Sequence, residues 1–217
     1  MKKYILFDLD GTLTESAPGI MNSARYALNH FGIPDPGSIF LRKFVGPPLF
    51  ESFTQMFGLD PEQATEAITV YREYYARQGI FENEVYAGIP EALEMLKKKG
   101  FVLAVATSKP EVYARQILEH FDLAKYFELI CGIPLEDEKM TKSQVIERTL
   151  RELGVSDKSQ ALMVGDRDYD VKGAHANGIE CVGVLFGYGD RPELEEAGAE
   201  YIAVTPAGMG EIIASLE

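Results

Sequence analysis

Short apolar runs alternate with helical patterns along most of the chain. Residues 4–7, 101–106, 129–131, 161–164, 181–185 and 201–204 are almost continuously apolar, which predicts parallel strands covered on both faces. Between them lie "PEALEMLKKKG", "PEVYARQILEHF", "KSQVIERTLRELG" and "DVKGAHANG", each with helical spacing of apolar residues. The first starts at Pro90 and stops with three lysines before Gly100, as helix start and stop signals and the macrodipole favour. Strand alternating with helix predicts an α/β fold with a doubly wound parallel sheet.

One region departs from this rhythm. Residues 14–86 read as helix or loop without a convincing strand, and are interrupted at "IPDPG", "VGPP" and "GLDP". They predict a helical insertion after the first strand, so the α/β core is expected to comprise residues 1–13 and 87–217, with a helical cap over 14–86. Within the insertion, Tyr71, Tyr74 and Tyr75 recur at helical spacing and read as a packing stripe.

Composition narrows the functional classes. The 217 residues are 46% hydrophobic, enough for a sizeable core, and carry a net charge of −13. That charge argues against wrapping a nucleic-acid polymer or resting on anionic lipid, both of which need a basic face. Asp8 ends the first apolar run well short of a signal-peptide core, and no run approaches membrane-spanning length. Cys131 and Cys181 lie in apolar segments and read as reduced core thiols. A cytoplasmic monomer is the expectation.

Ligands of open α/β sheets bind beyond the carboxyl ends of the strands, so the residues that follow each apolar run belong together. After the first run come Asp8 and Asp10, whose side chains share one side if the chain stays extended. Two neighbouring carboxylates repel and require a cation or a shared proton. A polar turn would account for one acid and Gly11, but not for both acids. Thr107, Ser108 and Lys109 lead into a helix expected near Pro110, where a hydroxyl and free N–H groups suit either an anion or a helix cap. Thr141 and Gln144 fit a capping box that places Lys142 in the first helical turn, against the dipole. Lys142 is thus either functional or a solvated lysine, with Lys139 as a nearby alternative. "GDRDYD" supplies Asp166, Asp168 and Asp170; acids suit a first helical turn, but Asp166 stands at the strand end, outside that explanation. Hard oxygen donors without a His or Cys cluster favour Mg²⁺ over Zn²⁺. His30, His120 and His175 lie in helical segments with no visible partners and read as structural or surface residues.

"DLDGTL" at 8–13, Thr107, Lys142 and "GDRDYD" at 165–170, in that order, resemble the haloacid dehalogenase superfamily of phosphohydrolases. The helical insertion, "GDRDYDVKGAHANGI" and "GVLFGYG" look like its phosphoglycolate phosphatase-like branch. The resemblance implies a Rossmann-like core with an inserted cap, a phosphorylated small metabolite as substrate, and Asp8 as nucleophile forming an aspartyl-phosphate. It implies Asp10 as general acid and base, and Mg²⁺ held by Asp8, the backbone carbonyl of Asp10, and Asp166. Phosphate would be bound by Gly11, Thr107, Ser108 and Lys142, with Asp170 orienting the metal's surroundings or Lys142. "LRKFVGPPLF" resembles the cap loop that faces the active site, which implies Arg42, Lys43 and Gly46 as substrate-choosing residues; Arg42 and Lys43 read equally as solvated surface charges. One departure is Glu15 in "DGTLTES", where the family often has Asp.

Phosphoglycolate is the first candidate substrate and a nucleoside 5'-monophosphate the second; the core motifs would also suit a sugar-phosphate mutase. Haloacid dehalogenation would leave Asp10 without a role, and phosphonate hydrolysis would need a cap lysine, for which Lys43 in "RKFVGPP" is a poor setting. A phosphate-binding or phospho-acceptor signalling module shares the donor types, but its acceptor would follow a later strand and the cap would have no purpose.

Overall fold

The computed structural model describes residues 1–135 and 140–216. In chain order, the first elements are β1 (Tyr4–Phe7), β2 (Thr14–Glu15), α1 (Ala17–His30), α2 (Ser38–Leu41), α3 (Leu49–Glu51), α4 (Pro61–Arg77) and β3 (Glu84–Val85). There follow α5 (Ile89–Lys98), β4 (Val102–Pro110), α6 (Glu111–His120), β5 (Leu129–Ile133), α7 (Lys142–Glu152), β6 (Ala161–Gly165) and α8 (Asp168–Ala176). The chain ends with β7 (Glu180–Val184), α9 (Arg191–Ala197), β8 (Tyr201–Ala203) and α10 (Pro206–Ser215). Contacts divide it into two units, Met1–Glu15 with Val85–Glu217, and Ser16–Glu84.

The first unit holds the six-stranded sheet, ordered β5-β4-β1-β6-β7-β8 and parallel throughout. Its apolar strands fill the interior: Ile5, Leu6, Phe7, Leu103, Val105, Leu162 and Val164 have no accessible surface. Burying each such side chain stabilises the fold by roughly 1.5–3 kcal/mol. Strand β1 lies between β4 and β6: the chain runs outward through β4 to β5 on one side, then crosses to β6 and continues through β7 to β8 on the other. This is the topological switch where α/β sheets open a crevice at the carboxyl ends of their strands. No helix among the described residues is long and apolar enough to cross a membrane.

Three features differ from the sequence expectations. The stretch between residues 14 and 86 contains two-residue strands, β2 and β3, which form a small separate sheet. They are too short for periodicity to reveal. Strand β4 does not stop at Ala106 but continues to Pro110, with an irregular register after Ala106, and α6 begins only at Glu111. The extension keeps Thr107 and Lys109 buried and Ser108 exposed, the alternation of a strand. Finally, two histidines have acidic partners distant in sequence: His30 Nε2 lies 2.8 Å from Glu66 and His175 Nε2 3.0 Å from Glu200.

In the second unit α1 packs on α4, with Tyr26 and Tyr74 rings 5.4 Å apart. Tyr71 and Tyr75 stack in its interior, and Tyr71 packs against Phe44 and Phe53. The tyrosines therefore pack as their helical spacing implied, except that Tyr74 also donates through its hydroxyl to Glu82 at 2.8 Å. Asn22 and Gln78 donate to the same carboxylate, each at 2.8 Å. Burial pushes the Glu82 carboxyl up, but these three hydrogen bonds together outweigh it and leave it below its ordinary value.

A group lowered in the folded state contributes stability that is complete above its ordinary pKa and is lost as pH falls through the folded value. Glu82→Ala should therefore reduce stability at pH 7 by about 1–3 kcal/mol in urea unfolding, with the deficit shrinking near about pH 3. A deficit that is the same at both pH values would contradict the role given to this carboxylate.

Candidate active site

The site forms at the carboxyl ends of β1, β4 and β6. Parallel registry sets Phe7 beside Val105 on one side and Val164 on the other, and the Asp8 N–H donates to the Val164 carbonyl at 2.9 Å. Asp8 is thereby fixed one residue beyond the strand, where the sheet's apolar cover gives way. From β6 the next residue after Gly165 is Asp166, and the following helix α8 carries Asp170 in its first turn.

Lys142 is the centre of the arrangement. Thr141 and Gln144 form the capping box expected of them, so Lys142 is the first residue of α7. A cation there opposes the helix dipole, yet its side chain turns inward to carboxylates that more than compensate. Its Nζ donates to Asp8 Oδ1 at 2.6 Å and to the Ala106 carbonyl at 3.0 Å, and forms an ion pair with Asp170 Oδ1 at 2.7 Å. Burial alone would lower the Lys142 pKa, but Asp170 and Asp8 outweigh it and hold the ammonium above the ordinary lysine value. It stays charged. Lys139, the alternative lysine, lies outside the described residues.

The other carboxylates are individually held. Burial, with Asp170 and Asp10 adding repulsion and Lys142 opposing, pushes the Asp8 carboxyl up to about 6. Asp166 has no accessible surface and accepts from Thr12 Oγ1 at 3.2 Å and from the Tyr188 N–H at 2.8 Å. Burial first, then Asp170 and Asp8, push it well above the usual carboxylate range. Asp170 Oδ2 accepts from the Arg167 N–H at 3.1 Å. Asp10 is paired separately: its Oδ2 is 2.7 Å from Lys109 Nζ, while its Oδ1 is buried without a hydrogen-bond partner.

These residues suit a divalent cation. One carboxylate oxygen each from Asp8, Asp166 and Asp170 lie within 4.8 Å of one another, all in buried residues. Among the described residues, the carboxylates of Asp8, Asp10 and Asp170 pair with two ammonium groups, Lys109 and Lys142, and four acids crowded away from water are costly. Hard oxygens with no nitrogen or sulfur donor match Mg²⁺. The side-chain cluster includes Asp170 rather than Asp10, whose expected contribution to the metal was its backbone carbonyl.

The remaining candidates fall as follows. Gly11 has φ +85° and lies against Asp166; a Cβ there would come within 2.3 Å of Asp166 Oδ2. Thr107 is buried in β4, and its Oγ1 accepts from the Lys109 N–H at 3.2 Å, so it is not a helix cap. Ser108 is exposed. Arg42, Lys43 and Gly46 belong to the second unit and are exposed, the first two on a 3₁₀ turn that ends at Phe44 and Gly46 two residues beyond it. Asp168 pairs with Lys172 on the surface of α8. Sequence reasoning named Lys109 beside Thr107 without a role of its own, and passed over Thr12 and Tyr188. The signal for Lys109 was its period-two spacing from Thr107, which expecting an early helix start concealed.

A family model for haloacid dehalogenase-like hydrolases matches residues 5–184. The chain is 41% identical to a 5'-nucleotidase of Pseudomonas aeruginosa over 97% of its own length and 95% of that protein's. It is 45% identical to the tyrosine-protein kinase PtkA of Mycobacterium tuberculosis over 86% of its length and 63% of the kinase's. Identity to a phosphoglycolate phosphatase of Pseudomonas savastanoi is 33% over 90% and 74% of the two chains. The crystal structure of a predicted phosphatase from Clostridium acetobutylicum superposes with a TM-score of 0.94 at 47% identity, covering 99% of both chains.

A cation that binds only the folded protein must stabilise it, by about 2.7 kcal/mol at a hundred times its Kd. Thermal unfolding in rising MgCl₂ should therefore show a growing Tm for the wild type and almost none of that gain for Asp166→Asn. Equal gains in both proteins would place the ion elsewhere.

Proposed function

The chain belongs to the haloacid dehalogenase-like hydrolases and is a phosphoric monoester hydrolase, and we propose that it cleaves a small-metabolite phosphomonoester through a phosphorylated Asp8. The observation that carries this is the division of labour between two neighbouring acids. Asp8 is held by Lys142, while Asp10 is held through Oδ2 by Lys109 and keeps Oδ1 unpartnered.

In the first half-reaction an Asp8 oxygen forms a bond to phosphorus as the bond to the leaving oxygen breaks, and Asp10 gives that oxygen its proton. In the second, Asp10 takes a proton from water as the water oxygen attacks phosphorus, releasing phosphate and restoring Asp8. Lys142 and Thr107 bind phosphoryl oxygens and stabilise the charge that develops on them, while Lys142 keeps the Asp8 carboxylate oriented. Asp8, Asp166 and Asp170 would hold the Mg²⁺, with Asp170 also paired to Lys142. When bound, Mg²⁺ offsets the repulsion between an anionic phosphate and this acidic pocket.

The preferred substrate is a nucleoside 5'-monophosphate rather than phosphoglycolate, which the sequence alone put first. The supporting fact is the greater similarity to the 5'-nucleotidase, 41% over nearly all of both chains, against 33% for the phosphoglycolate phosphatase. Arg42, Lys43 and Gly46 are the proposed substrate-selecting residues of the second unit.

Phosphate release should be measured with Mg²⁺ on nucleoside 5'-monophosphates, phosphoglycolate, sugar phosphates and pyrophosphate. The expected result is the highest kcat/KM on a nucleoside monophosphate, with Asp8→Asn lowering kcat by roughly four orders of magnitude or more. Isomerised sugar phosphate in place of free phosphate would indicate a mutase. Transfer of phosphoryl from ATP to a tyrosine, with no monoester hydrolysed, would contradict the phosphatase.

A further inference from the structure

Glu15 is left without a role by the hydrolysis mechanism. It lies on β2, half-buried, with two tyrosine hydroxyls on its carboxylate. Tyr86 donates to Oε2 at 2.9 Å and Tyr188 to Oε1 at 3.4 Å. All three residues belong to the first unit. Tyr188 is also the residue whose backbone N–H donates to Asp166 Oδ2 at 2.8 Å. Its neighbour Phe186 packs edge-on against the Tyr86 ring, with centroids 5.3 Å apart. Gly187 between them lies so close to the Asp166 side chain and the Gly11 carbonyl that a Cβ would come within 2.6 Å of both.

From this geometry we infer that Glu15 is a positioning residue for the metal site: its carboxylate gathers Tyr86 and Tyr188, and so fixes the loop amide that aims Asp166. The inference rests on Asp166 being a ligand of Mg²⁺. Asp166 follows a strand end and, among the described residues, accepts from Thr12 Oγ1 and the Tyr188 N–H, so the ligand's orientation depends on where loop 186–189 sits. The loop has two anchors on Tyr86, its ring against Phe186 and its hydroxyl through Glu15 to Tyr188. The length of the acid matters. An aspartate would withdraw the carboxylate by about one carbon–carbon bond, ~1.5 Å, and the Tyr188 contact at 3.4 Å has no slack to absorb it. Charge alone, which aspartate would retain, cannot substitute for reach.

Glu15→Asp and Tyr188→Phe are the test variants, the second removing the hydroxyl while keeping the backbone N–H. Each should weaken Mg²⁺ binding, titrated calorimetrically without substrate, by about tenfold, in line with residues that orient a metal ligand. Hydrogen exchange of the 186–189 amides, followed without any metal, should accelerate about tenfold in both variants and remain at the wild-type rate in core strands. Unchanged Mg²⁺ affinity and unchanged loop exchange in two folded variants would overturn the inference. Faster exchange with unchanged affinity would overturn it too, since Glu15 would then hold the loop without serving the ligand. A wild type that takes up no Mg²⁺ would instead remove the metal reading beneath it, and the exchange data would still report separately whether Glu15 anchors the loop.

Discussion

The buried ammonium of Lys142 is the interaction on which the site depends. Acids crowded at the end of a parallel sheet repel one another and resist losing water, so Asp8 and Asp166 are both pushed upward. Lys142 reaches from the start of α7 to touch Asp8, Asp170 and a carbonyl of β4, drawing the end of β1, the interior of β4 and the first turn of α8 together at one charged group. An ammonium at a helix N-terminus is locally unfavourable, and here its cause is visible: the position is chosen for the carboxylates it reaches.

The same crowding explains the chemistry. A phosphomonoester is itself an anion and would be excluded by four acids unless cations outnumbered its charge locally. Lys109 and Lys142 neutralise part of the cluster, and the three carboxylates of Asp8, Asp166 and Asp170 stand close enough to share a divalent ion. What distinguishes Asp8 from Asp10 is which lysine holds each and what is left over. Asp8 stands among the metal-binding acids, whereas Asp10 faces Lys109 and retains an unpartnered oxygen for a proton. Two identical side chains, two residues apart, thus acquire different tasks from their surroundings.

Much of this was legible in the sequence, for a physical reason. Strands buried on both faces are continuous apolar runs, and an acid or hydroxyl just beyond such a run announces the sheet edge where α/β proteins bind ligands. Asp8, Asp10, Thr107 and Asp166 were found that way, and Lys142 by its conflict with the helix dipole. Lys109 was named but its pairing with Asp10 escaped, because β4 runs four residues beyond the apolar stretch and carries polar side chains inward by strand alternation. Thr12 and Tyr188 escaped because a loop residue that bonds through a backbone N–H or a local hydroxyl leaves no periodic trace. The two-residue strands β2 and β3 are shorter than any period that could identify them.

The central claim is that Asp8, not another acid of the cluster, carries the phosphoryl group. Acid quenching during turnover of a hydrolysed monoester, followed by borohydride reduction and peptide mass spectrometry, reads this directly. An acyl phosphate at Asp8 is reduced to the alcohol, so the account predicts a homoserine-mass peptide at position 8, dependent on substrate and absent when Asp8 is replaced by Asn. The same mark at Asp10, Asp166 or Asp170, or steady turnover with no marked residue, would contradict it.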